Sequence, residues 1–151
     1  MVPVSLTLRN FLSYGEDVPA LDFRAFRVAC ISGANGHGKS ALLDAITWAL
    51  WGEARKPGAD RRPEQGLLRI GASEMQVDVE FDLGSTRYRV ARNHRRTGRG
   101  SITRLELQVF DPDAGTYRTL SEGGSLRKTQ ERLSDLLSMT YDTFINSAFI
   151  L

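Results

Sequence analysis

The run Phe26-Arg27-Val28-Ala29-Cys30-Ile31-Ser32, followed by Gly33-Ala34-Asn35-Gly36-His37-Gly38-Lys39-Ser40 and then Ala41-Leu42-Leu43-Asp44-Ala45-Ile46, decides the fold. Its first seven residues are nearly continuously apolar and end at glycine, which predicts a strand buried on both faces. From Ser40 onward the period changes, and Ala41, Leu42, Ala45, Ile46, Ala49 and Leu50 fall on one helical face. Between strand and helix lies Gly, four residues, Gly-Lys-Ser, the spacing of a phosphate-binding P-loop. Gly33, Gly36 and Gly38 permit positive φ and close backbone approach, so amide N–H groups can surround phosphate oxygens. Lys39 stands where the helix opens, within reach of β- and γ-phosphates, and the helix N-terminus adds partial positive charge. Ser40 offers a hydroxyl to Mg²⁺. The motif therefore predicts that residues 33–40 bind ATP with Mg²⁺.

Working outward, residues 4–9 alternate as a strand, residues 11–15 turn the chain, and residues 20–23 fit a second short strand. Residues 52–66 hold Pro57, Pro63 and three glycines without an apolar period, and predict an exposed loop. Residues 76–83 alternate through Val77, Val79 and Phe81, Gly84-Ser85 turns, and residues 87–92 answer as a hairpin partner. A basic connection leads to a further strand at 101–110, whose apolar residues Ile102, Leu105, Leu107 and Val109 break phase once. Residues 125–137 carry Leu126, Thr129, Leu133, Leu136 and Leu137 at helical spacing, and an apolar tail over 144–151 reads as the start of a strand. The predicted fold is α/β: a P-loop NTPase lobe with a mixed sheet, the P-loop helix against it and an antiparallel β-layer beside it.

At 151 residues, 41% apolar and 25% charged, the chain suits one globular domain. The N-terminus lacks the basic start and apolar block of a secretory signal. Residues 41–51, the most apolar stretch, are too few for a membrane span and include Asp44. A soluble, cytoplasmic protein is expected. Cys30, the one cysteine, is expected to be a small buried hydrophobe. His37 and His94 are far apart and offer no metal-site spacing. The net charge of +2 conceals a basic segment: residues 84–110 hold seven arginines against Glu106 alone. Arg92, Arg95, Arg96, Arg99 and Arg104 are accordingly candidate contacts to DNA phosphates, with only Tyr88 nearby for stacking, so binding would be independent of base sequence.

ATP hydrolysis also needs an acidic residue at the end of a buried neighbouring strand. The run Leu107-Gln108-Val109-Phe110-Asp111 is interrupted by Gln108 and followed by Pro112, and residues 77–82 alternate too strongly. Lys39 is thus the one group placed to stabilise a transferring phosphoryl group, and the chain reads as part of a catalytic site.

The segments Leu8-Arg9-Asn10-Phe11-Leu12-Ser13-Tyr14 and Leu21-Asp22-Phe23, the loop Gly33 to Ser40, and its continuation through Ala45-Ile46-Thr47-Trp48-Ala49-Leu50-Trp51-Gly52 resemble the start of SbcC-type ATPases. These are SMC-like DNA-repair proteins related to the ABC ATPases. Ile70-Gly71 before the strand at 77–81, and Phe144-Ile145-Asn146-Ser147 running into Phe149-Ile150-Leu151, extend the likeness over nearly the whole chain. The resemblance implies that residues 1–151 are the N-terminal lobe of a two-lobed head, stopping before the Q-loop glutamine. The C-terminal lobe would carry the ABC signature, Walker B carboxylates and switch histidine. It further implies that two heads dimerise around ATP and regulate an SbcD-like nuclease on DNA ends.

Carried over by position, Gly33, Asn35, Gly36, Gly38, Lys39, Ser40 and Ala41 would bind the nucleotide, Ser40 would bind Mg²⁺, and the turn bearing Asn10 and Ser13 would lie close by. Many relatives have Lys or Arg where Leu12 stands. Two other readings are a head lobe of another SMC- or RecF-like chromosome-maintenance ATPase, and a nucleotide-binding module without catalysis.

Overall fold

Val4, Leu6 and Leu8 alternate with Ser5, Thr7 and Arg9, and the apolar set is buried while the other is not. This period of two recurs through Met75, Val77, Val79 and Phe81, and through Val90, Leu105 and Leu107, so each strand presents one face to a common core. The computed structural model describes residues 1–54, 63–121 and 124–148. Its strands are β1 (Val2–Arg9), β2 (Leu21–Asp22), β3 (Glu74–Leu83), β4 (Thr86–Thr97), β5 (Gly100–Asp111) and β6 (Thr116–Thr119). They form one sheet in the order β2-β1-β3-β4-β5-β6, and every ladder among the described residues is antiparallel.

The helices are α1 (Lys39–Trp51), α2 (Pro63–Leu67), α3 (Leu126–Leu137) and α4 (Tyr141–Ala148). Helix α1 lies on the core face of the sheet. Ala45 and Ala49 are fully buried, and small side chains let the helix approach closely. Trp48 fills the space beside them, with its ring centroid 5.7 Å from that of Phe11. Leu133 of α3 closes the same core over β5. Gly52 ends α1 in the left-handed region, with its N–H donated to the Trp48 carbonyl at 2.8 Å. Ser125 caps α3 by accepting from the Lys128 N–H.

Four expectations need correction. Residues 26–32 form no strand, and Val28 is 91% exposed, with Ile31 and Cys30 exposed beside it. A run of apolar residues becomes a buried strand only if neighbours cover both its edges and faces, and none of the described strands does. The expected mixed sheet is consequently antiparallel throughout its described part. Second, β4 runs on to Thr97, so the basic connection is a tight turn at Gly98-Arg99 and not a long loop. Third, residues 144–148 belong to helix α4, not a strand, with the Thr140 Oγ1 accepting from the Thr143 N–H at 3.2 Å at its start. Fourth, Pro63–Leu67 is a short helix within the predicted loop; the loop's residues 55–62 and the tail's 149–151 lie outside the described residues.

The phase break in β5 has a simple cause. Leu105 and Leu107 point into the core, whereas Ile102 pairs with Arg95 and is half exposed on the outer face.

Candidate functional site

Helix α1 opens with Gly38 at its N-cap, in the left-handed region with φ 81°, and no side chain caps it. The first N–H groups of a helix lack intrahelical acceptors, and such an end is the kind that accepts an anion. Gly36 also has positive φ, 84°, which a β-carbon would make costly. Lys39 turns back across the loop, its Nζ donating to the Gly33 carbonyl at 2.6 Å and the Ala34 carbonyl at 2.8 Å. The ammonium is thereby held at the loop's centre, where phosphate oxygens would replace carbonyls as its acceptors.

A cavity of about 480 Å³ opens beside this loop, within the range of small-molecule sites. It is lined by Asn35, Gly36, Gly38, Lys39, Ser40, Ala41 and Asp44 of the loop and α1, and by Leu12, Ser13, Gly66, Leu68 and Ile70 of the neighbouring turns. The predicted nucleotide residues are thus brought together, with two exceptions. Gly33 contributes a carbonyl to Lys39 without lining the cavity. Asn10 is corrected: it is buried, its Nδ2 donates to Glu16 Oε1 at 3.3 Å, and it takes φ 52° in a turn. Asparagine tolerates that conformation better than most residues, so Asn10 shapes the turn and does not face the cavity.

Ser13 does reach the site. A β-carbon on Gly38 would lie 2.5 Å from Ser13 Oγ and 3.3 Å from the Tyr14 ring, and the Tyr14 hydroxyl donates to the Gly38 carbonyl at 3.2 Å. Burial raises the Tyr14 phenol above its ordinary pKa, which keeps it a donor. The turn after β1 therefore presses on the end of the loop, and glycine at 38 is required on both conformational and steric grounds.

Asp44 carries no motif signal, yet it lines the cavity, buried. The spacing of four from Ser40 puts both on one side of α1, and that spacing could have revealed it. Arg69 is a further unannounced contributor: its side chain donates to the Ser13 carbonyl and its N–H to the Asn10 carbonyl. Ser40 in the first turn and Asp44 one turn later offer the oxygen ligands that Mg²⁺ prefers. Among the described residues no group of three or more His, Cys, Asp and Glu side chains could by itself hold a metal ion, so the fit is to a metal shared with phosphate oxygens.

The arginine segment divides in two. Across the outer face, β3 sets Glu74, Gln76, Asp78, Glu80 and Asp82 against β4. Arg87 pairs with Asp82 at 2.9 Å, Arg89 with Asp78 at 3.4 Å, and Arg9 with Glu74. The Arg87 guanidinium holds the Asp82 carboxyl below its ordinary pKa. Cross-strand acids thus pair with two of the segment's seven arginines, Arg87 and Arg89. Arg92 is corrected as a DNA contact: it is 3% exposed, on the core face between Val90 and His94. Its Nε donates to the Ala49 carbonyl at 3.1 Å, its Nη2 to Gln130, and it lies 5.8 Å from the Trp48 ring centroid. Arg95, Arg96, Arg99 and Arg104 are exposed at the far end of the hairpin and make no ion pair among the described residues. His94 is buried too, with Nδ1 2.9 Å from Thr103 Oγ1.

No helix among the described residues is long and apolar enough to cross a membrane. Compared with known proteins, residues 5–150 match the family model described as AAA domain. The chain is 35% identical over 144 residues to the SbcC component of the nuclease SbcCD of Deinococcus radiodurans, covering 95% of this chain and 15% of that protein. It is 27% identical over 154 residues to "DNA double-strand break repair Rad50 ATPase" of Thermoplasma acidophilum, covering 99% of this chain and again 15% of the relative. A solved structure, "SMC head domain from Thermotoga maritima", is similar at TM-score 0.47 and 22% identity, over 87% of this chain and 42% of that one. The chain spans about 15% of the length of the curated relatives it matches. With the P-loop, the uncapped helix and the cavity in place, the match over 5–150 shows that the chain belongs to the AAA domain family, with SbcC and Rad50 proteins among its relatives.

Proposed function

We propose that this chain is the nucleotide-binding half of an ATPase head acting in DNA double-strand-break repair, and that a C-terminal lobe completes it. The observation that carries the reading is Lys39 held across an uncapped helix start, facing a cavity of about 480 Å³. Main-chain amides of residues 33–40 and the Lys39 ammonium hold the phosphates of ATP, and Ser40 with Asp44 holds Mg²⁺. A magnesium ion held by these residues would supply neutralisation of phosphate charge. Residues 26–32 support the incompleteness: they leave an apolar segment exposed beside the P-loop, and the missing lobe's strands would cover it. In this reading two heads close on ATP, regulate an SbcD-like nuclease and work on DNA in the cytoplasm.

Two experiments test it. ATP turnover is expected to be negligible for this chain alone and to appear when the complementary lobe is added. Turnover unchanged by that lobe would reject the split-site reading. DNA contact is assigned to Arg95, Arg96, Arg99 and Arg104. Arg95→Glu with Arg96→Glu should weaken DNA binding by the assembled head roughly tenfold and lower the salt slope by about 2. Equal affinity of the double variant in a salt titration would remove these residues from the interface.

A further inference from the structure

A second cavity, of about 680 Å³, lies between the end of α1 and the turn joining α3 to α4, at the opposite end of α1 from the phosphate loop. Among the described residues its lining includes Trp51, Glu53, Asp135, Met139 and Tyr141, with Gln130 and four hydroxyl side chains, and no Lys or Arg. The Trp51 indole is fixed on two sides: its Nε1 donates to the Met139 carbonyl at 3.1 Å, and the Phe144 ring packs against it with centroids 4.8 Å apart. The Tyr141 ring meets it at 67°, with centroids 6.5 Å apart. Two aromatic rings thus form a corner of the cavity wall.

Both acids of this groove stand where helix electrostatics disfavour them. Glu53 follows the Gly52 C-cap of α1, and Asp135 lies in the last turn of α3, whose C-cap is Ser138. A helix carries partial negative charge at that end, so a carboxylate there is repelled and a cation is favoured. Neither helix has a basic residue in its last turn. Arg92 answers the end of α1 from within the core, where it is buried, and leaves the groove side acidic. Glu53 and Asp135 make no ion pair among the described residues. Local rules are broken in this way mainly at functional sites, and a ligand can bring the balancing charge. Aromatic faces beside carboxylates suit a guanidinium, which stacks on rings and bonds carboxylates in its own plane. Among the described residues no third metal-binding side chain joins the two acids, so the groove is built for an organic cation. We infer that it is a docking site for a partner protein that inserts an arginine side chain between Trp51, Tyr141, Glu53 and Asp135. The complementary lobe would cover the exposed segment 26–32 beside the P-loop. The far end of α1 lies about 18 Å from there at 1.5 Å per residue, which leaves the groove open to a further partner.

Nuclear magnetic resonance titrations with acetyl-arginine amide and with its neutral isostere acetyl-citrulline amide, at matched ionic strength, read the Trp51 indole signal. The arginine probe should move that signal saturably, and the citrulline probe should not. Glu53→Gln with Asp135→Asn should weaken the arginine probe roughly fivefold or more, the scale of two exposed charge contacts. Removing acids from helix C-termini does not threaten the fold, and an unmoved indole signal from buried Trp48 reports that it is kept. No response to either probe, equal response to both, or unchanged affinity in the double variant would overturn the docking site. The same titration on the chain assembled with its complementary lobe should give the same response. Its loss there would assign the groove to that lobe and overturn the partner reading.

Discussion

Lys39→Ala should reduce ATP affinity by roughly a hundredfold or more, without a matching loss of stability. The ammonium's two present acceptors are the Gly33 and Ala34 carbonyls, and these lie on an exposed loop where water replaces a lost donor at small cost. Stability should therefore change by less than about 1 kcal/mol. Bound triphosphate is different: charge-assisted hydrogen bonds to phosphate are the strong class, about 1.5–3 kcal/mol each, and one ammonium serves two phosphates. Losing about 3 kcal/mol corresponds to more than a hundredfold in affinity. Calorimetric titration with ATP, alongside far-UV circular dichroism, measures both quantities. Retained affinity in a folded variant would contradict the site assignment, and loss of the fold would show that Lys39 is structural.

The second large effect is expected where the sequence suggests a surface contact. Arg92→Ala should destabilise the chain by about 3–5 kcal/mol, a substantial part of the 5–15 kcal/mol typical of small domains. Arg92 ties β4 to the C-terminal turn of α1 through Ala49 and to α3 through Gln130, which itself donates to the Leu50 carbonyl at 2.9 Å. Its guanidinium also lies over Trp48 at 5.8 Å. Burial lowers its pKa to about 10, so it remains charged at neutral pH and favours the helix's negative end. Truncation removes the donor from buried carbonyls and opens a cavity beneath Trp48. Chemical denaturation measures the loss. A change within 0.5 kcal/mol, the range of ordinary surface substitutions, would show that Arg92 is not the tie its burial indicates.

Arg92 also marks where reading along the chain runs out. Its phase was legible: it shares strand parity with Val90 and His94, both buried, so alternation alone puts it on the core face. Counting charge between residues 84 and 110 obscured that, because the count ignores which side of a strand a residue occupies. The count also missed Asp78 and Asp82, which belong to a different strand and meet Arg89 and Arg87 only through sheet register. The Ser40 to Asp44 spacing lay in plain view on a predicted helix and required only the period of 3.6.

The P-loop, α1, β1, β3 and the β3–β4 hairpin could be identified from the sequence by itself, because each rests on a local rule: glycine φ freedom, the helical period, the strand period or a two-residue turn. Only the tertiary structure decided the rest. Leu12, Leu68 and Ile70 lie up to 58 residues apart by numbering and line one cavity because the Phe11–Leu68 bridge brings their turns together. Asn10 and Ser13 stand three residues apart, yet one faces Glu16 and the other the cavity. The segment 26–32 shows the limit from the other side. Its apolar composition predicts burial, but burial is a property of what lies on either side of a strand, and no local pattern contains the neighbour.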